Sequence, residues 1–177
     1  MIAAIFDTET SGLLSSGLLD IEKMPEIIEF MAVKMNLETG ERIKEYEFFV
    51  RPTKEISDEI TKITGITNAD LENEKPFSNY IDQVKEALED CDAVIAHNLS
   101  FDKEMIDIEM KRCGETIKWP RLICTVEQSM PLRGYRLSLT DLYAALDLGK
   151  FEGAHRARND VEALVECVVA MKNGDYL

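Results

Sequence analysis

Five residues carry the chemistry this chain could do: Asp7, Glu9, Asp102, His155 and Asp160. Asp7 and Glu9 follow the run Met1-Ile2-Ala3-Ala4-Ile5-Phe6, which is apolar throughout and reads as a central strand covered on both faces. Side chains alternate along a strand, so Asp7 and Glu9 share the face of Ile5 and project together from the strand's end. Two convergent carboxylates there repel each other unless a cation sits between them. Asp160 stands beside Val161 and four residues before Leu164, on or next to the buried face of a helix, and a carboxylate aimed at a core needs a partner. His155 follows Gly153 and is expected in the loop before that helix, from which it can lean over Asp160. Asp102 alone says little, because an acid in the first turn of a helix is favoured by the dipole. The four acids offer oxygen and no sulfur, which suits magnesium or manganese rather than zinc. Two such ions about 4 Å apart can clamp the attacking and leaving oxygens of a phosphodiester, so phosphodiester hydrolysis is what the set could do. His97, a lone histidine, reads as a satisfied structural group.

These residues need elements to hold them. Glu26 to Asn36 and Arg42 to Val50 read as a hairpin turned at Glu38-Thr39-Gly40, and Ala93 to Ala96 as a short buried strand. Helices are expected around Ser57 to Ile63, over Phe77 to Leu88, and from Phe101 to Arg112 with Ser100 as N-cap. A strand near Leu122 to Thr125, a helix near Leu137 to Leu146 and a final helix from Ala157 to Met171 complete the chain. In that last helix Val161, Leu164, Val165, Val168 and Val169 form an inward stripe. The segment from Thr10 to about Pro25 is long enough to be a mobile flap. Interleaved strands and helices, without repeat or linker, predict an α/β fold, a mixed sheet flanked by helices, as one domain over residues 1–177.

The 177 residues are 45% hydrophobic and carry a formal charge of -14, which excludes general adhesion to nucleic acid or anionic membranes. Any polyanion is met locally: from Lys111 to Arg158, nine basic residues against five acidic ones leave this stretch at +4. The cysteines Cys91, Cys113, Cys124 and Cys167 are scattered without a C-x-x-C pair, as expected of reduced thiols. The apolar start is too short for a signal peptide and no other stretch could span a bilayer, so a soluble, cytoplasmic protein is expected.

Three segments resemble the motifs of the DEDDh 3′-to-5′ exonucleases, the group containing the proofreading epsilon subunit of bacterial DNA polymerase III. They are Phe6-Asp7-Thr8-Glu9-Thr10-Ser11-Gly12, His97-Asn98-Leu99-Ser100-Phe101-Asp102 and His155-Arg156-Ala157-Arg158-Asn159-Asp160. Pro25 to Phe30 and Leu137 to Leu142 extend the likeness. The resemblance implies a ribonuclease-H-like fold and two magnesium or manganese ions. Asp7 would bridge both, Glu9 and Asp160 would hold the ion carrying the nucleophilic water, and Asp102 would support the other. It makes His155 the general base, and Thr10, Asn98 and Phe101 contacts of the 3′-terminal nucleotide. Thr64-Gly65-Ile66 departs from the family, which often carries a histidine before that glycine.

The expected substrate is a single-stranded or frayed 3′ end, DNA before RNA. Arg133 and Arg136, flanking Tyr135 in a loop after Pro131, are expected to track the strand by charge and stacking. A polymerase or repair complex is the protein partner implied, although the chain ends at Leu177, soon after its last helix, which speaks against a constitutive proofreading subunit. Two alternatives stand beside this: an exoribonuclease on the same scaffold, and a catalytically silent binding module. The second leaves inward-facing acids without a reason to exist.

Overall fold

Five strands, β1 (Ile2–Thr10), β2 (Ile27–Asn36), β3 (Arg42–Phe49), β4 (Ala93–Ala96) and β5 (Arg121–Cys124), form one mixed sheet in the order β3-β2-β1-β4-β5. The computed structural model describes residues 1–14, 20–151, 155–174 and 176. β1 pairs antiparallel with β2 and parallel with β4, so the strand that ends in the acids lies in the middle. β2 is buried along nearly its whole length, because it lies between β1 and β3 and is covered on both faces. The edge strand β3 instead alternates toward its end, with Tyr46 and Phe48 buried.

Helices cover both faces. On one, α3 (Ile81–Leu88) and α4 (Leu99–Arg112) bring Val84, Leu88, Met105, Ile106 and Met110 against Ala4, Phe6, Phe30, Ala32 and Val94. On the other, α7 (Leu139–Ala145) and α8 (Ala157–Asn173) pack Leu142, Val161, Leu164 and Val168 against Ala3, Ile5, Met31, Val33 and Ile95. Even and odd positions of β1 therefore belong to different layers. Shorter helices are α1 (Asp58–Thr64), α2 (Asn68–Leu71), α5 (Thr125–Gln128) and α6 (Met130–Arg133). Among the described residues, no helix is long and apolar enough to cross a membrane. The expected mixed sheet flanked by helices is what the chain adopts.

Three local expectations are corrected. The helix carrying Asp102 starts at Leu99, not Phe101, and its N-cap is Asn98 rather than Ser100. Asn98 is left-handed at φ 64°, a conformation asparagine tolerates better than most residues, so the chain turns into the helix two residues early. Val169 is not part of the inward stripe, being 39% exposed, because it lies one position round from Val168 and turns away from the sheet. Arg133 closes the short helix α6, with Pro131 in its first turn, rather than standing in a loop.

The Leu13 to Pro25 segment is closed at its base, where Ser11 N–H donates to Glu26 O at 2.8 Å and Glu26 N–H to Ser11 Oγ at 2.9 Å. Its later part is pinned by the half-buried Arg112 of α4, whose guanidinium donates to the carbonyls of Ile21, Met24 and Pro25. Arg112 also pairs with Glu109 at 3.1 Å, and Glu109 accepts from Ile27 N–H at 3.0 Å. Residues 15–19, the centre of the expected flap, lie outside the described residues, as does Gly153.

Candidate active site

The odd residues of β1 face α8, so Asp7 and Glu9 meet Asp160, in the first turn of α8, at the end of the sheet. One carboxylate oxygen from each of the three lies within 4.8 Å of the others. Asp102 approaches from the opposite layer. Its Oδ1 accepts from both the backbone N–H of Thr8, at 3.0 Å, and the Thr8 hydroxyl, at 2.8 Å. Thr8 is even-numbered and faces α4, which is how a single strand presents acids to one layer and anchors an acid of the other.

The electrostatics are those of crowded, dehydrated acids. Burial, reinforced by Asp102, Glu9 and Asp160, raises the Asp7 carboxyl well above its ordinary range. Burial and the charges of Asp160 and Glu29 push Glu9 up to about 8, against the lowering effect of Arg156. Asp102 is pushed to about 7 by burial, with the Thr8 hydrogen bonds holding it down. Asp160 is pushed to about 6 by burial, opposed by the His155 N–H that reaches its Oδ2 at 2.8 Å. Ionised carboxylates at this density require a compensating cation, and an all-oxygen set of this kind fits a hard divalent ion. The donors present therefore suit magnesium or manganese.

His155 has a left-handed backbone, φ 69°, and an exposed side chain; it contacts Asp160 through its main chain. His97 has both ring nitrogens engaged, Nδ1 with the Thr125 hydroxyl at 2.9 Å and Nε2 with the Leu137 carbonyl at 3.1 Å. A carbonyl only accepts, so Nε2 carries a proton and the ring ties β4 to the segments after β5. Burial lowers its pKa.

Thr10 ends β1, and Asn98 and Phe101 stand at the start of α4. The Thr10 hydroxyl donates to Gly12 O at 2.6 Å, shaping the turn after β1. Phe101 is half-buried against the α4 layer. Asn98 Oδ1 accepts from the Arg136 guanidinium at 2.9 Å, which ties Arg136 to the start of α4. Arg133 and Tyr135 stand on the preceding turn, Tyr135 59% exposed.

Several residues escaped sequence reasoning. Thr8 sits between the two acids, and only the alternation of β1 marks it as facing the other layer. Glu29 is the one charged residue between Ile27 and Val33, a signal that could have singled it out. It is 1% exposed and accepts from the Arg156 side chain at 3.2 Å and from Ala157 N–H at 3.0 Å.

The family model described as Exonuclease (RNase_T) matches residues 4–168. The chain is 30% identical over 176 residues to the PolC-type DNA polymerase III of Thermotoga maritima, covering 94% of this chain and 12% of that protein. It is also 30% identical over 162 residues to the 3′-5′ exonuclease DinG of Bacillus subtilis, covering 89% of this chain and 16% of that protein. The chain thus spans less than a fifth of the length of either relative. Among solved structures, the nuclease domain of 3′hExo, a DEDDh family member bound to rAMP, superposes with a TM-score of 0.78 at 19% identity, covering 98% of this chain and 92% of that one. The match along nearly the whole chain, together with the likeness of its three motifs to those of the DEDDh enzymes, places this protein in the exonuclease family.

Proposed function

We propose that residues 1–177 act as one exonuclease unit that removes nucleotides from single-stranded or frayed 3′ ends, DNA before RNA. The observation that carries this reading is the meeting of Asp7, Glu9 and Asp160 within 4.8 Å beside an Asp102 held in place by Thr8. Asp7, Glu9, Asp102 and Asp160 would hold two divalent cations, magnesium or manganese. Bound there, such ions supply the positive charge that offsets the carboxylates and stabilises the oxygens of an in-line displacement at phosphorus. His155, exposed at the rim, takes a proton from the attacking water as its oxygen bonds to phosphorus and the preceding nucleotide's 3′ oxygen leaves. The product is a nucleoside 5′-monophosphate.

Thr10, Asn98 and Phe101 border the place of the terminal nucleotide, and Arg133, Tyr135 and Arg136 meet the strand behind it. DNA is favoured because the sequence relatives include the PolC-type DNA polymerase III; the rAMP-bound structural neighbour supports the alternative, RNA. A polymerase or repair complex is the protein partner this reading implies.

The test is mononucleotide release from matched 5′-labelled DNA and RNA strands with magnesium or manganese. Faster release from DNA is expected, and its loss in Asp7→Asn. No release from either strand with either metal overturns the reading, and faster release from RNA transfers it to that substrate.

A further inference from the structure

Helix α8 begins without a cap of its own. Its N-cap residue, Arg156, makes no side-chain hydrogen bond to the first turn, and the Ala157 N–H is one of the amides a helix start leaves unsatisfied. That amide is met by Glu29 Oε2 at 3.0 Å, from a residue 128 positions earlier in the chain. The same carboxylate accepts from Arg156 Nη2 at 3.2 Å through Oε1. Glu29 thus caps α8 from the neighbouring layer, and both its oxygens are occupied.

Glu29 also lies directly across from Glu9 in the β1–β2 register, on the face that meets α8. It is not part of the three-acid cluster, yet both of its side-chain partners lie at the start of the helix that carries Asp160. Asp160 N–H donates to Arg156 O at 2.9 Å, and Asp160 Oδ2 receives the His155 N–H. If Arg156 and Ala157 shift, Asp160 and His155 move with them. The Arg156 guanidinium is further seated over the Phe49 ring, 5.4 Å from its centroid.

We propose that Glu29 and Arg156 are a positioning pair that locks the start of α8 to β2 and so sets where Asp160 and His155 stand relative to Asp7 and Glu9. The consequence for metal binding rests on the exonuclease reading above; the consequence for α8 does not. Groups that orient ligands typically change metal affinity or activity by about 10- to 100-fold when altered. The pair is not merely a source of charge, and the two roles separate cleanly. As charges alone, loss of the Glu29 anion would weaken cation binding and loss of the Arg156 cation would strengthen it. As positioners, loss of either weakens it.

The experiment uses the full chain, wild type, Glu29→Gln and Arg156→Gln. Manganese binding is titrated by calorimetry without nucleic acid, and kcat and KM are measured on a labelled single strand. Both variants are expected to bind manganese about tenfold more weakly and to lose about 10- to 100-fold in kcat, with KM within about twofold. Tighter binding in Arg156→Gln, or unchanged binding in both, overturns the proposal. Amide hydrogen exchange in the first turn of α8, measured without metal, gives a second readout: exchange about tenfold faster is expected in both variants. Unchanged exchange overturns the pair even if the wild type degrades nothing, an outcome that separately defeats the exonuclease reading. Should Glu29→Gln not fold, Arg156→Gln, at a half-exposed position, carries both comparisons.

Discussion

Thr8 gives both of its donors to one oxygen of Asp102, the hydroxyl at 2.8 Å and the main-chain N–H at 3.0 Å. The acid that comes from α4 is thereby fixed to the strand that carries Asp7 and Glu9, and Asp102 is only 3% exposed. Thr8→Val keeps the shape and the backbone donor but removes the hydroxyl. A hydrogen bond to a charged buried group contributes about 1.5–3 kcal/mol, so we expect a destabilisation of that order at pH 8 in urea titration, with lower turnover. Equal urea midpoints and equal turnover would show that the hydroxyl does not matter.

The metal-free protein should lose stability as pH rises. Glu9, Asp102 and Asp160 have folded pKa values of about 8, 7 and 6, all raised above their unfolded values by burial first. The folded state therefore holds protons that the unfolded state has released, and the stability they contribute is present below about pH 4 and lost through about pH 8. Thermal midpoints in EDTA are expected to fall across this window, and Glu9→Gln to flatten its upper part, from pH 6 to 8. Manganese should raise the midpoint more at pH 8 than at pH 5. A midpoint that climbs from pH 5 to 8 in EDTA contradicts the account.

His155 is exposed and left-handed, φ 69°, so its replacement must tolerate that backbone. Asparagine does, and His155→Asn keeps the main-chain N–H that Asp160 accepts. We expect manganese affinity and the thermal midpoint to be retained, while kcat drops about 10²- to 10⁴-fold, the range for removal of a general base. Unchanged turnover removes His155 from the chemistry.

Arg112 and Glu109 tether the segment from Ile21 to Ile27, where the Leu13 to Pro25 segment runs into β2. Arg112→Met leaves Glu109 buried beside a neutral side chain, where losing one partner of a buried pair costs about 3–5 kcal/mol. The double variant Arg112→Met with Glu109→Gln is expected to recover part of that loss. Chemical denaturation of the two variants checks this, and equal destabilisation would mean that the pair adds nothing beyond its hydrogen bonds.

Much of this protein is written in local pattern. The apolar run ending in Asp7 marks the central strand, the turn residues at Glu38 to Gly40 mark the hairpin, and the stripe from Val161 to Val168 marks the buried face of α8, because alternation and helical period are properties of neighbouring residues. The types of the acids and the donors they offer are equally legible, and with them the kind of ion they suit. What the chain alone could not reveal is which residues support those acids. Thr8 reaches Asp102 across 94 positions, and Glu29 caps a helix that begins 128 positions later. Such partnerships arise only when the sheet places β1 between β2 and β4 and packs α4 and α8 on opposite faces. They depend on distance in space rather than along the chain, so tertiary packing alone decided them.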